Sequence, residues 1–263
     1  MATFDQVAAE YGKRSLVQAA AADKLLSLLH IQNHENILDV GCGPGNITAR
    51  IKGMTSGRVE GTDISEGMIT QAKEKNPEIH FRKIAMEQLD YVDEFDIVFC
   101  NSTFQWVKDF KSAILPMHKA LKAAGRLGIA CPATQNWSPC FQEVAEFAGS
   151  QPETSALFSH WRSPWLWLQD ENFCRTLFGS CGFDVDHLKI EKEVTYYTAE
   201  EAYSNFLSGA GQGYMSASYY DVPLTREYLL HYKKYLETGM QARVVKGRVE
   251  VDFNRLYFVG KKR

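Results

Sequence analysis

The sequence predicts an α/β fold with a mainly parallel, doubly wound sheet. Short runs of strand-forming residues alternate with helical stretches, and the helical stretches carry apolar residues on one face and charges on the other. Such alternation is typical of βαβ units, in which helices cover both faces of a parallel sheet. A length of 263 residues with 45% hydrophobic content is sufficient to bury one core of this kind.

Seven strands are predicted in order along the chain. The strand-type runs cover residues 36–40, 58–62, 79–81, 95–100, 125–130, 183 to about 194, and 249–259. We expect the last strand to be antiparallel and to lie at an edge of the sheet. Helix-period apolar residues predict an N-terminal helical segment that ends near His30, and further helices over 65–75 and 109–123.

Two stretches interrupt this alternation. Residues 137–170 contain Trp161, Trp165 and Trp167, and residues 199–244 are helical and rich in tyrosine. We predict that they form a cap over one edge of the sheet, although each aromatic residue taken alone would serve equally well in an ordinary core.

Charge and composition exclude several classes of function. A net charge of −3 lacks the basic excess that binding to a phosphate backbone requires, so nucleic acid is disfavoured as a partner. The seven histidines form no metal-binding pattern. The six cysteines form no C-x-x-C pair, no apolar run approaches membrane-spanning length and no targeting segment is visible, so we expect a reduced, cytoplasmic protein without a metal or a membrane partner.

The most specific motif is a glycine loop at the end of the first strand. Gly41, Gly43 and Gly45 are spaced by two residues, whereas the dinucleotide fingerprint has its third glycine one position later. Asp39 precedes this loop, and a carboxylate there would repel a pyrophosphate but attract a cationic sulfonium. The loop therefore favours S-adenosylmethionine over NAD as the cofactor.

A second acid follows the next strand. Asp63 lies about twenty residues beyond the loop, where its carboxylate could accept both ribose hydroxyls. The alternative is a helix N-cap, a role for which Ser65 is the better candidate. Ile64 and Met68 could form an apolar wall for adenine, or could belong to the core.

Three segments resemble class I S-adenosylmethionine-dependent methyltransferases, and among these the trans-aconitate and malonyl-acyl-carrier-protein carboxyl O-methyltransferases. The segments are 38–45, 61–65 followed by Met68, and 101–107, which carries an N-x-x-F-Q-W pattern. The resemblance extends from about residue 4 to 132 and returns more thinly at 206–211 and 256–260.

The resemblance implies a role for several residues. It puts Gly41, Gly43 and Gly45 against the methionyl part of the cofactor, Asp63 on the ribose, and Asn101 and Ser102 beside the methionine moiety. Many relatives have an aspartate facing the adenine amine at the position of Ala85. Alanine cannot accept that hydrogen bond, so adenine would depend on backbone contacts near Met86 and on apolar packing.

The resemblance also suggests where the acceptor binds. Residues 11–18 resemble a lid helix in which Tyr11 and Gln18 approach the cofactor and the acceptor, and the two residues fall on one helix face. Trp106 and Arg162 are further substrate candidates, because an arginine can pair with a carboxylate through two hydrogen bonds. For Tyr11, Gln18 and Arg162, an ordinary surface position remains an alternative.

We therefore predict a Rossmann-like fold with a seven-stranded sheet and a helical cap. We expect the protein to transfer a methyl group from S-adenosylmethionine to a small-molecule carboxylate. No catalytic base is assigned, because a carboxylate is already ionised. The predicted parts are lid helices at 1–30, a cofactor-binding core at 31–135, a cap at 136–170 and 199–244, and the rest of the sheet at 171–198 and 245–263.

Alternatives remain open. The acceptor could be an amine or a hydroxyl of a small metabolite, or the chain could bind S-adenosylmethionine without catalysis. Nucleic-acid amino-methyltransferases are disfavoured, because the segment from Asn101 to Phe104 lacks the two prolines of their N/D-P-P-Y/F motif. An NAD oxidoreductase would need the wider glycine spacing. The oligomeric state is left undetermined.

Overall fold

A single seven-stranded sheet organises the computed structural model, which describes residues 16–263 and side chains from residue 19 onward. The strand order is β3-β2-β1-β4-β5-β7-β6, and only β7 runs antiparallel to its neighbours. The predicted fold class is confirmed. The strands are β1 Ile37–Val40, β2 Val59–Asp63, β3 His80–Lys83, β4 Phe95–Asn101, β5 Leu121–Pro132, β6 Phe183–Tyr197 and β7 Val249–Lys262.

Helices cover both faces of this sheet. They are α1 Leu16–Leu29, α2 Asn46–Lys52, α3 Glu66–Lys75, α4 Phe110–Ala120, α5 Pro139–Gly149, α6 Ser155–Phe158, α7 Glu171–Ser180, α8 Ala199–Ser208, α9 Gly211–Met215 and α10 Arg226–Ala242. Short 3-10 turns lie at Met86–Gln88, Phe104–Trp106 and Ala217–Tyr219. In the described part of the chain, no helix combines the length and apolar character needed to cross a membrane.

Two helices begin where local capping dictates. The Ser65 side chain accepts a hydrogen bond from the backbone N–H of Met68, so Ser65 is the N-cap of α3 as predicted. Asp109 caps α4 in the same way through the N–H of Ser112. Helix α4 ends at Ala120 rather than at the predicted residue 123, because Leu121 already pairs with Phe95 of β4.

The prediction that the last strand forms an edge is wrong. β7 pairs with β5 over Arg126–Pro132 and with β6 along nearly its whole length, so β6 is the edge strand. The reason is burial on both faces: Leu256, Tyr257 and Phe258 are all fully buried. A near-continuous apolar run is typical of an interior strand.

Helix α1, which is the described part of the predicted N-terminal lid region, packs on one face of the sheet. Ala22, Leu25 and Leu29 of α1 are buried against Phe99 and Tyr257. This helix therefore contributes to the core. Residues 1–15, which complete the predicted lid, lie outside the described residues.

The two predicted cap segments pack into one aromatic cluster. They lie on the half of β7 that extends beyond β5, where Phe253 contacts Trp137 and Phe141. Trp165 of the same cluster contacts Trp106, which follows β4, with ring centroids 5.6 Å apart. The cluster therefore reaches the carboxyl edge of the parallel strands, which is where open α/β sheets bind ligands. The domain boundaries themselves remain a prediction.

Candidate active site

A cavity of about 180 Å³ opens at the carboxyl ends of β1, β2 and β4. Its wall combines the glycine loop, the end of β2, the turn after β3 and the loop after β4. Nine predicted site residues line it: Gly41, Gly43, Asp63, Ile64, Met68, Met86, Asn101, Ser102 and Trp106. These residues come from four separate segments, and the sheet topology brings them together.

The glycine loop leaves β1 in a left-handed conformation. The φ angles of Gly41, Gly43 and Gly45 are +76°, +54° and +80°, a region that residues with a side chain rarely adopt. Thr103, which follows β4, donates a hydrogen bond from its hydroxyl to the carbonyl of Gly41 at 3.2 Å. The loop after β1 is therefore held against the loop after β4.

Asp63 connects the end of β2 to the glycine loop. Its Oδ2 accepts the backbone N–H of Gly43 and its Oδ1 accepts that of Ser65, each at 2.9 Å. A carboxylate has about four lone-pair positions, so Asp63 can accept several hydrogen bonds at once. The geometry is compatible with the predicted ribose contact, and it adds a second role, the fixing of the loop.

Asp39, whose carboxylate the sequence predicts to attract the sulfonium, does not line the cavity. Its side chain is buried beneath the loop, and its Oδ2 accepts the hydroxyl of Thr48 on α2 at 2.7 Å. Burial raises the pKa of Asp39 to about 7, an effect that the Thr48 hydrogen bond opposes and the nearby charge of Asp63 reinforces. Asp39 therefore supports the loop from below.

Gly45 is also outside the cavity wall, and its role is packing. A Cβ at this position would lie 3.0 Å from atoms of Asn76 and Phe81 and 3.1 Å from Ala72. The absence of a side chain lets the start of α2 approach α3 and β3 closely.

The charge of the wall suits a cationic ligand. Asp63 and Glu87 line the cavity, whereas no lysine, arginine or histidine does so within the part of the chain that the structure describes. Cys42 is the other ionisable group of the wall, and burial raises the pKa of its thiol well above the usual range. The wall therefore fits the positive sulfonium of S-adenosylmethionine better than the pyrophosphate of a dinucleotide.

One end of the cavity has apolar sides. Met68 of α3 is buried, whereas Ile64, which precedes this helix, is 48% exposed. Ala85 and Met86 complete this end, where a 3-10 turn begins. A flat, apolar ring such as adenine fits this composition, and the methyl group of Ala85 provides no hydrogen-bond acceptor for its amine.

The structure places the predicted substrate residues differently relative to the cavity. Trp106 lines the cavity and contacts the aromatic cluster. Arg162 does not: its side chain is 64% exposed and its guanidinium is paired with Asp221 at 2.8 Å, on the outer side of the cap. Tyr11 and the side chain of Gln18 lie outside the described residues, so their roles stay predictions.

Sequence reasoning missed several wall residues and one residue behind the wall. Glu87 and Thr103 line the cavity; Thr103 lies inside the 101–107 segment of the resemblance, and Glu87 directly follows Met86. Arg255 lies behind the wall, where it donates a hydrogen bond to Ser102. The signal for Arg255 was a charged residue within the apolar run from Phe253 to Val259.

Comparisons with known proteins identify a methyltransferase domain in this chain. The profile of a family described as a methyltransferase domain matches residues 37–125. A malonyl-[acyl-carrier protein] O-methyltransferase of Calditerrivibrio nitroreducens is 31% identical over 128 residues, which are 47% of this chain and 50% of that protein. A trans-aconitate 2-methyltransferase of Escherichia coli is 30% identical over 124 residues, 47% of this chain and 48% of that protein. The chain thus spans about half the length of these curated relatives.

A solved structure extends the likeness in fold beyond the matched half. Geranyl diphosphate C-methyltransferase of Streptomyces coelicolor, solved with Mg²⁺, geranyl diphosphate and S-adenosyl-L-homocysteine, superposes with a TM-score of 0.54. The superposition covers 93% of this chain and 80% of that protein, at 11% identity, so it is a likeness of fold alone. The matched domain at residues 37–125 and the topology of the sheet together support a class I S-adenosylmethionine-dependent methyltransferase domain in this part of the chain.

Proposed function

We propose that this chain transfers the methyl group of S-adenosylmethionine to a small molecule, and that the accepting atom is a carboxylate oxygen. One observation carries the proposal: the wall of the cavity has acids for a sulfonium but, in its described part, no histidine or lysine that could act as a general base. Such a wall suits a cationic donor and a nucleophile that is already ionised.

Different wall residues contact different parts of the cofactor in this proposal. Gly41 and Gly43 let the backbone approach the methionyl part closely, and Asp63 accepts the ribose hydroxyls while it holds the N–H of Gly43. Asn101 and Ser102 form the side nearest to the methionine moiety, in agreement with the resemblance. The bound cofactor supplies a methyl group on a positively charged sulfur.

The chain contributes alignment and exclusion of water. Methyl transfer from a sulfonium is an in-line displacement, so its rate depends on how well donor and acceptor are held in register. Trp106 is placed to form one side of the acceptor site, because it lines the cavity and is held by Trp165 of the cap. We propose that the cap, together with the part of the predicted lid that precedes α1, closes over the acceptor.

The relatives support a carboxylate as the acceptor. Two groups of them are named for malonyl-[acyl-carrier protein] and trans-aconitate, both of which carry carboxylates. The likeness covers about half of each chain, so the acceptor of this chain need not be either molecule. We also propose a cytoplasmic location, with no nucleic-acid partner, on the basis of six unpaired, buried cysteines and a net charge of −3.

Transfer of a labelled methyl group tests the proposal. The donor is S-adenosylmethionine labelled on its methyl group, and the acceptors are trans-aconitate, other small di- and tricarboxylates, malonyl thioesters, amines and phenols. We expect labelled methyl esters, which alkali hydrolyses, whereas methylamines and methyl ethers survive that treatment. Alkali-stable label would show amine or hydroxyl methylation. Binding of the donor with no product from any acceptor class would indicate a protein that binds the cofactor without catalysis.

A further inference from the structure

Ser102 has an unusual backbone conformation for a residue with a side chain. Its φ angle is +56°, in the left-handed region, and it lies directly after β4 on the cavity wall. An L residue persists there only when surrounding contacts hold it, because the conformation is disfavoured on its own. The contacts of Ser102 therefore determine the shape of this part of the wall.

Three contacts hold Ser102 from three directions. Its N–H donates to the carbonyl of Ala130 on β5 at 2.7 Å, and its own carbonyl accepts the side-chain amide of Gln105 at 2.8 Å. Its hydroxyl accepts a hydrogen bond from Nη1 of Arg255 on β7 at 3.3 Å. The first two contacts come from neighbours along β5 and the same loop, whereas the third connects Ser102 to a strand that also carries the cap.

Arg255 is itself fixed in place. Its side chain is 1% exposed, and its Nε donates to Oε2 of Glu193 on β6 at 3.1 Å. The ring of Phe253, which belongs to the aromatic cluster, lies 5.6 Å from the guanidinium carbon. Tyr257 donates to the other oxygen of Glu193. A planar guanidinium with its donors in a fixed fork can bridge two acceptors in this way.

The conformation of Ser102 has consequences for both of its neighbours. Asn101 and Thr103 line the cavity on either side of it, and Thr103 packs against Gly41 of the glycine loop. Relaxation of Ser102 toward an ordinary φ would rotate the peptides that place these two residues. The wall would then lose its fit to the methionine moiety.

We propose that Arg255 is a positioning residue for the cofactor site, and that it acts by holding Ser102 in its left-handed conformation. This inference rests on the proposed use of the cavity for S-adenosylmethionine. It assigns Arg255 no contact with cofactor or acceptor. It also makes the β6–β7 ribbon, which carries the cap, a structural support of the cavity.

A double-mutant cycle tests this proposal, because glycine adopts positive φ without the strain that a side chain brings. The probe is S-adenosyl-L-homocysteine, whose sulfur is neutral, and the effect of the lost arginine charge on its amino and carboxyl groups should be the same in both Ser102 backgrounds. Calorimetry would compare the wild-type chain, Arg255→Met, Ser102→Gly and the double variant. We expect Arg255→Met to raise the Kd about tenfold in the Ser102 background, the size expected for release of a strained residue. In the Ser102→Gly background, the same change should leave the Kd within about twofold of the Ser102→Gly single variant.

Two controls keep the cycle interpretable. Arg126→Met removes another arginine that is paired with a buried acid, Glu35, which lies ahead of β1 and away from the cavity. It should lower the free energy of unfolding and leave the Kd unchanged. If Arg255→Met fails to fold because Glu193 loses its partner, Arg255→Lys takes its place in the cycle, since one ammonium keeps the charge but lacks the fork that bridges Glu193 and Ser102.

The possible outcomes are distinct. An equal rise in Kd in both backgrounds, or no rise in either, would overturn the role of Arg255 and leave the proposed function intact. Failure of the wild-type chain to bind S-adenosyl-L-homocysteine would instead contradict the proposed function. A rise that disappears with Ser102→Gly supports the inference, because a general loss of stability would not be rescued by a glycine at this one position.

Discussion

Thr103 fills the space in which a side chain at Gly41 would lie. A Cβ on Gly41 would come within 2.3 Å of both Oγ1 and Cγ2 of Thr103, and the φ angle of Gly41 is +76°. Glycine is therefore required at this position for two reasons, which are its backbone conformation and the close approach of the loop after β4. This contact fixes the distance between two sides of the cavity.

Replacement of Gly41 by alanine should damage both stability and binding. We expect Gly41→Ala to lower the free energy of unfolding by about 2–4 kcal/mol, from the strain of positive φ and the clash with Thr103 together. The affinity for S-adenosyl-L-homocysteine should fall at least about tenfold, because the two loops must separate. Urea denaturation and calorimetry would measure the two effects.

A glycine elsewhere provides the control for this variant. Gly179 lies in α7, and a Cβ there would meet no atom within 4 Å. Gly179→Ala should leave the affinity unchanged and stabilise the chain by about 0.4–1 kcal/mol, because alanine restricts the unfolded state. If Gly41→Ala behaved like Gly179→Ala, the described contact with Thr103 would be wrong.

The affinity for S-adenosyl-L-homocysteine should depend on the charge of Asp63 as well as on its side chain. We expect Asp63→Asn to raise the Kd for S-adenosyl-L-homocysteine about ten- to hundredfold, because hydrogen bonds to a charged acceptor contribute about 1.5–3 kcal/mol each. One amide NH2 would also face the N–H of Gly43 or Ser65, both of which donate to this carboxylate. Calorimetry measures the change.

Asp90→Asn is the matched control for charge. Asp90 is an exposed aspartate that pairs with Arg82 through two hydrogen bonds and does not line the cavity. Its replacement should leave the Kd unaltered. Equal Kd values for Asp63→Asn and the wild-type chain would mean that Asp63 only caps the loop.

The sequence was sufficient to predict features that depend on local backbone chemistry. Positive φ at Gly41 and Gly43 is a property of the turn itself, so the glycine spacing predicts it directly. The N-cap at Ser65 is equally local. The alternation of strands and helices follows from the burial pattern of each segment, which is why the fold class was predictable as well.

Features that depend on packing between distant segments were not predictable. Asp39 is adjacent to the loop in sequence, but its carboxylate faces Thr48 of α2 rather than the cavity. Arg162 and Arg255 look alike in the sequence, yet the first is exposed beside Asp221 and the second is buried beside Ser102. Only the pairing of β7 with both β5 and β6 determines which arginine reaches the site.

The buried carboxyl of Asp39 should make stability fall as the pH rises. Its pKa is about 7 in the folded chain and 3.8 for an ordinary aspartate, so the folded state binds more protons between these values. Its contribution is fully present below pH 3.8 and is lost as the pH rises through 7. Asparagine does not titrate, so only the wild-type chain should lose this stability. We expect the difference in free energy of unfolding between Asp39→Asn and the wild-type chain to shift by about 2 kcal/mol in favour of the variant from pH 5 to pH 8. Urea denaturation across this range measures the difference, and a difference independent of pH would contradict the raised pKa.

The pH dependence of turnover should report the nature of the acceptor. With a carboxylate acceptor, we expect a rate that stays flat from about pH 6 to 9, well above a carboxyl pKa of about 4. An amine or phenol would instead give a rate that rises with pH, because no histidine or lysine among the described residues lines the cavity to deprotonate it. A steep alkaline rise would therefore rule out the carboxylate.

Arg162→Ala provides a test of the acceptor site that is independent of the pH profile. Because the guanidinium of Arg162 is paired with Asp221 outside the cavity, we expect the KM for a carboxylate acceptor to remain unchanged. A higher KM with unaltered cofactor affinity would show that the acceptor extends to the outer side of the cap.

The claim on which the binding and turnover predictions depend is that the cavity binds S-adenosylmethionine. Titration calorimetry of the wild-type chain with S-adenosyl-L-homocysteine, and separately with NAD⁺, tests it most directly. We predict saturable binding of S-adenosyl-L-homocysteine at one site per chain, weakened by Asp63→Asn, and no heat of binding with NAD⁺. Binding of NAD⁺ without any response to S-adenosyl-L-homocysteine would contradict the assignment of the cavity.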